Sequence, residues 1–152
     1  MSNYVGVGRS NSFRVKDVVA FGDWCHRHGI TVDHDEKDPH EVLIFPDDDD
    51  CGGWPTTFYN EETDEAEEFD LATELSKYLE DGQVAILVES GSEKTRYVIG
   101  WALAVNSKGE TREVTINQIY ELAKELGSGF GRAEYSGKPP KEEPEQQTGT
   151  GF

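Results

Sequence analysis

The sequence predicts an α+β domain: a mostly antiparallel sheet of five to six strands, with about three helices packed largely on one face. Three observations carry that expectation. Apolar residues alternate or cluster at 83–89, 96–106 and 111–114 with turn residues between them, the pattern of an antiparallel meander. Apolar residues recur at helical spacing at 18–28, 70–79 and 116–126, and a glycine follows each stretch (Gly29, Gly82, Gly127). The order is strand, helix, two or three strands, helix, three-strand meander, helix, which segregates the elements rather than alternating them.

Each element has its own local reason. Residues 12–15 (SFRV) read as a short strand. Asp17 caps a helix over Val18 to His28, with Val18, Phe21, Cys25 and His28 on one stripe and Trp24 beside it. Gly29 supplies the left-handed stop. Thr31–Val32 starts a second strand, and Glu41–Phe45 (EVLIF) makes a stronger one that Pro46 ends. Residues 47–60 read as loop with a short strand at Thr57–Tyr59, and the acidic stretch 61–68 has no pattern that assigns it.

The second half reads more clearly. Asp70 opens a helix through Leu79, carrying Leu71, Leu75, Tyr78 and Leu79. Gln83–Glu89 (QVAILVE) reads as a buried strand, and residues 90–92 (SGS) as a turn. Arg96–Asn106 is a long strand. Tyr97, Ile99, Trp101, Leu103 and Val105 share one face, with Trp101 directed into the main core. Val98, Gly100, Ala102 and Ala104 share the other face, small enough for a helix to pack close. Lys108-Gly109 turns the chain into Thr111–Val114. Thr115 and Gln118 form a capping box for a helix from Ile116, with Ile116, Ile119, Tyr120, Ala123 and Leu126 inward.

Length and composition set the limits. The chain has 152 residues, 35% of them apolar, which suits one core domain over 1–130. Gly, Pro, Glu, Gln and Thr dominate residues 136–152, so residues 131–152 read as a disordered tail. No apolar run approaches the ~20 residues that span a bilayer. Two cysteines do not make a secreted disulfide framework, so a cytoplasmic protein is expected.

Charge is the dominant feature. Lys and Arg number 14 against 31 Asp and Glu, a net −17. Residues 1–32 carry +2, residues 33–70 carry −15 with Lys37 their only Lys or Arg, and residues 71–152 carry −4. Direct binding to nucleic acid or to an anionic membrane is therefore not expected; a basic protein is the expected partner. An acidic surface this dense can imitate a phosphate backbone. The residues that would form it are Asp47, Asp48, Asp49, Asp50, Glu61, Glu62, Asp64, Glu65, Glu67 and Glu68. Gly52-Gly53-Trp54-Pro55-Thr56 is the most unusual short motif. Trp54 reads either as a local packing plug or, with Tyr59, as an exposed aromatic anchor in the acidic field.

Other chemistry finds little support. The run Asp47–Asp50 lacks the alternating ligands of an EF-hand loop. Cys25, His26, His28, His34, His40 and Cys51 contain no CxxC or HxxxH pair, so no metal and no cofactor is expected. Gly6-Val7-Gly8 lacks the third glycine of a dinucleotide loop, and neither a GK[ST] phosphate loop nor a GxSxG elbow occurs. A non-enzymatic protein is expected, with no catalytic residues.

The stretch from Val84 to Gly127, ending VTINQIYELAKELG, resembles small uncharacterised proteins carried by phages and plasmids. It covers about a third of the chain. Acidic proteins of such elements include antirestriction and anti-CRISPR inhibitors that mimic DNA, and this chain shares their charge character. That resemblance implies a decoy that inhibits a basic nucleic-acid-binding protein of the restriction, CRISPR or nucleoid type. An immunity-type inhibitor of a basic nuclease toxin would have the same composition, and a small enzyme or metal-binding protein is the remaining alternative.

Overall fold

The computed structural model describes residues 4–47, 53–93 and 97–132. The strands are β1 (Tyr4–Ser10), β2 (Phe13–Arg14), β3 (Ile30–His34), β4 (Glu41–Pro46), β5 (Thr57–Asn60), β6 (Glu65–Glu68), β7 (Val84–Glu93), β8 (Tyr97–Asn106) and β9 (Thr111–Thr115). The helices are α1 (Val18–Arg27), α2 (Leu71–Ser76) and α3 (Ile119–Ala123), the last entered through a 3₁₀ turn at Ile116–Gln118. The class is α+β with antiparallel pairing, as the sequence predicts. The strands divide among three sheets, ordered β1-β7-β8-β9, β2-β4-β3 and β5-β6, rather than forming one of five to six strands.

β1 is an element that sequence patterning does not reveal, because Gly6 and Gly8 weaken any strand signal. They are there to make room. Gly6 pairs with Gly91 of β7, and the Tyr4 ring folds over both, where side chains would collide with it. The same pair explains why β7 runs on through Ser90-Gly91-Ser92 to Glu93, where a turn is expected from composition. A Cβ on Gly8 would stand 2.8 Å from the Trp54 indole nitrogen. Beyond Ser10 the chain bends, and Ser10 Oγ accepts a hydrogen bond from Ile44 N–H at 2.8 Å, joining the first sheet to the second.

The core lies between these two sheets and α1. Asp17 caps α1 as predicted, accepting from Ala20 N–H at 3.0 Å. The stripe holds: Phe21, Trp24 and Cys25 are buried, with Phe13, Val15, Val42, Ile44, Leu75, Leu79, Leu87 and Val105 around them. Rings continue from Phe21 through Trp24 to His28, Phe58 and Phe69, with centroids 4.3–5.8 Å apart along the chain of contacts. Offset and edge contacts of this kind add to the area each ring buries.

Three expectations need correction. The helix read as 70–79 ends at Ser76, because the next residues are drawn into backbone pairing with β2: Lys16 N–H donates to Tyr78 O at 2.9 Å and Glu80 N–H to Arg14 O at 3.0 Å. Trp101 lies on the inward face of β8 but is only half-buried, lining an apolar groove of about 340 Å³ with Trp54, Leu71, Leu87 and Leu103. The last helix does not face inward. Gln118 does close the predicted capping box, accepting from Thr115 N–H at 2.7 Å, but Ile116 and Ile119 are exposed and Leu126 is 93% exposed. β9 leaves the sheet at its edge, so no core lies beneath the helix. The tail read over 131–152 lies, from residue 133, outside the described residues.

Arg14 is the electrostatic hub of this half. Its guanidinium binds the Asp38 carboxylate, Glu80 at 3.0 Å and Glu41 at 3.8 Å. The hydrogen bond from Arg14 holds the Asp38 carboxyl below the usual carboxylate range. A carboxyl depressed in the folded state adds stability above its unfolded value, near pH 4, and loses it as pH falls through the folded value. Asp38→Asn should therefore be less stable than wild type at pH 7, and the gap should close below about pH 3. Thermal midpoints across that range measure it.

Candidate acidic docking site

β5 and β6 form a hairpin with Thr57 opposite Glu68, Phe58 opposite Glu67, Tyr59 opposite Ala66 and Asn60 opposite Glu65. Asn60 organises its four-residue turn. The Asn60 carbonyl accepts from Asp64 N–H at 2.8 Å, its side-chain oxygen accepts from Glu62 N–H at 2.9 Å, and its amide donates to Glu67 Oε2 at 3.0 Å. Asp64 takes the left-handed conformation, φ 59°, that closes the turn. Glutamate is a poor strand former, so a local reading of 61–68 has no strand signal; the pairing is supplied by Thr57-Phe58-Tyr59 across the turn.

One face of the hairpin is anchored. Phe58 stacks on His28 with centroids 4.3 Å apart, and Phe69 N–H donates to Thr56 O at 2.9 Å where the hairpin rejoins the core. The other face is open, with Tyr59 56% exposed beside Glu68 and Ala66. Glu61, Glu62, Asp64, Glu65 and Glu68 are exposed and Glu67 half-buried. No ion pair involves any of the six among the described residues, and no Lys or Arg occurs between Lys37 and Lys77. Asp47 borders the same open cleft, about 740 Å³, as Tyr59 and the end of α1. Its N–H donates to Gly29 O at 2.9 Å and its carboxylate accepts from the Thr31 hydroxyl. Asp48, Asp49 and Asp50 lie outside the described residues.

The acidic segment is therefore not one surface. Asp33, Asp35, Glu36, Asp38 and Glu41 sit at the far end of β3–β4, four residues or about 14 Å along the strand from the Ile30–Pro46 end. Part of that group is neutralised by Arg14, whereas the hairpin carboxylates have no counter-ion among the described residues.

Trp54 is the packing plug and not an exposed anchor. It is 8% exposed, its indole N–H donates to Val88 O at 3.1 Å, and its backbone N–H donates to Glu89 Oε1 at 2.9 Å. Glu89 is itself 8% exposed and accepts from the Tyr4 hydroxyl at 2.6 Å. This buried carboxylate ties β1 and the Trp54 loop to β7. Sequence reasoning passed over it; an acid at an inward position of an otherwise apolar strand was the available signal.

Burial pushes the Cys25 thiol up to about 12, which removes its nucleophilic form at neutral pH. Among the described residues no three His, Cys, Asp or Glu side chains are grouped to hold a metal ion, and Cys51 lies outside them. No helix among them is long and apolar enough to cross a membrane. The fold and site thus define an acidic α+β protein with a carboxylate-bearing hairpin. No family model matches the chain, and no curated protein or solved structure is similar to it.

Proposed function

We propose that this is a non-enzymatic acidic binding protein that occupies the nucleic-acid surface of a basic protein, acting as a decoy for the phosphate backbone. One observation carries the reading: six hairpin carboxylates without a counter-ion among the described residues, on an element fixed to the core through Phe58. A four-residue strand is about 14 Å long, so the hairpin carries about one charge per 2 Å. Duplex DNA carries one per ~1.7 Å of axis. Tyr59 stands within this field as the aromatic contact that distinguishes a partner from any polycation. The class of target is a restriction, CRISPR or nucleoid protein met in the cytoplasm by a product of a mobile element.

The carboxylates repel one another when free, so removing charge should not unfold the protein. Changing Glu61, Glu62, Glu65 and Glu68 together to Gln should leave the thermal midpoint equal or slightly higher. Binding to a partner captured at low salt should weaken at least tenfold, and its salt dependence should become shallower. Capture by wild type and variant, eluted along a salt gradient, measures this. Equal retention of both would assign the acid to solubility alone.

A further inference from the structure

The sheet β1-β7-β8-β9 has two unequal faces. Ala85, Leu87, Glu89 and Val105 face the core. The opposite face carries Val5 and Val7 of β1, Val84, Ile86 and Val88 of β7, Val98 of β8 and Val114 of β9, all exposed. Seven of the fifteen exposed large apolar residues thus gather on one surface. The sequence shows a strand at 83–89 apolar on both sides and small residues at Gly100, Ala102 and Ala104, a pattern that calls for a packing partner. The described helices do not supply one: only Ile116 reaches this side, over Gly100.

We propose that a second copy of the chain covers this face, sheet on sheet, making a two-fold symmetric dimer. Charge selects that occupant. No Asp or Glu lies among the outward residues of the four strands, although the chain carries 31. Arg9 and Arg112 sit at opposite edges of the face. Arg9 stacks over Phe45 at 5.0 Å and Arg112 donates to Thr111 O at 2.7 Å, which leaves the centre uncharged. A basic partner finds no carboxylate here, and a polyanion finds only two peripheral arginines. An identical neutral face meets neither difficulty and escapes the repulsion that a −17 chain otherwise imposes on its own copies.

Shape selects it too. Val84, Ile86 and Val88 form a ridge along β7, and Gly100, Ala102 and Ala104 form a furrow along the adjacent β8. A two-fold axis between these strands seats each ridge in the other copy's furrow, the self-complementary contact that a closed dimer requires. Four strands about 4.8 Å apart and some 26 Å of β7 give a face of about 500 Å². Two such faces remove about 1,000 Å² before side-chain relief is counted, the size at which specific interfaces begin. Residues 133–152 offer only Ala133, Tyr135 and Phe152 as apolar side chains, too few to cover the surface instead.

Light scattering and sedimentation from low to high micromolar concentration test the proposal on the full chain. Wild type should have twice the 17.0 kDa chain mass. Val88→Glu and Ala102→Arg, at the centre of the face, should each return it to 17.0 kDa with unchanged circular dichroism, whereas Val19→Glu, exposed on α1, should not. If the charged variants do not fold, Ala102→Cys in a Cys51→Ser background should cross-link to a dimer with a short bismaleimide, and Val19→Cys should not. A wild-type monomer at every concentration, a dimer mass unchanged in the folded variants, or equal cross-linking at both positions would overturn the proposal. So would a monomer that dimerises only once residues 133–152 are removed, which would assign the face to the chain's own C-terminal segment.

Discussion

Trp24→Ala should cost about 3–5 kcal/mol of stability, the range for a fully buried aromatic, and lower the thermal midpoint by roughly 10–20 °C. Trp24 is 1% exposed and touches Phe21, His28, Phe69 and Tyr78 with ring centroids 5.0–6.4 Å away. The His28 stack then carries the load to Phe58, so the cavity should also loosen the acidic hairpin. Trp24→Phe should cost much less. Its smaller ring loses some contact, but the substitution also removes the indole N–H, which is buried without a hydrogen-bond partner among the described residues. Urea melts of the two variants, with proteolysis in the 61–64 turn as a local readout, measure both effects.

Glu89→Ala should cost about 2–4 kcal/mol, because it leaves the Tyr4 hydroxyl and the Trp54 N–H without the acceptor that holds them. Trp54 should then leave its seat over Gly8, with a red shift in tryptophan emission. Glu89→Gln keeps an acceptor and the side-chain volume and should recover most of the loss. Equal stability in all three proteins would mean that the Tyr4 and Trp54 contacts contribute nothing net.

The parts of this fold that were legible in the sequence are those whose packing is local. The α1 stripe, the Asp17 cap, the 83–89 and 96–106 strands and the Lys108-Gly109 turn are written in spacing that a few residues complete by themselves. The missed parts depend on distant partners. β1 is a strand only because Gly6 and Gly91 meet across a ladder to admit Tyr4, and β6 is a strand only because β5 pairs with its glutamates. The last helix shows the opposite failure. Its periodicity was correct for an apolar stripe, yet spacing carries no information about whether a surface lies beneath that stripe, and here Ile119, Leu122 and Leu126 are exposed.

The candidate site was legible to a similar degree. Composition located the charge, and Asp47 and the hairpin carboxylates do border one cleft with Tyr59. Composition could not separate the 33–41 group, which the length of β4 carries to the other end of the sheet, nor decide between the two roles open to Trp54. Those distinctions rest on backbone register and on one buried hydrogen bond, neither of which a linear pattern encodes.

Competition at the captured partner tests the decoy reading most directly. Duplex DNA titrated into the complex of partner and protein at fixed low salt should displace the protein completely. The reverse titration should release DNA, and the variant with Gln at 61, 62, 65 and 68 should need correspondingly more protein to do so. A ternary complex, in which DNA and the acidic protein sit on the partner together with unchanged affinities, would contradict the account.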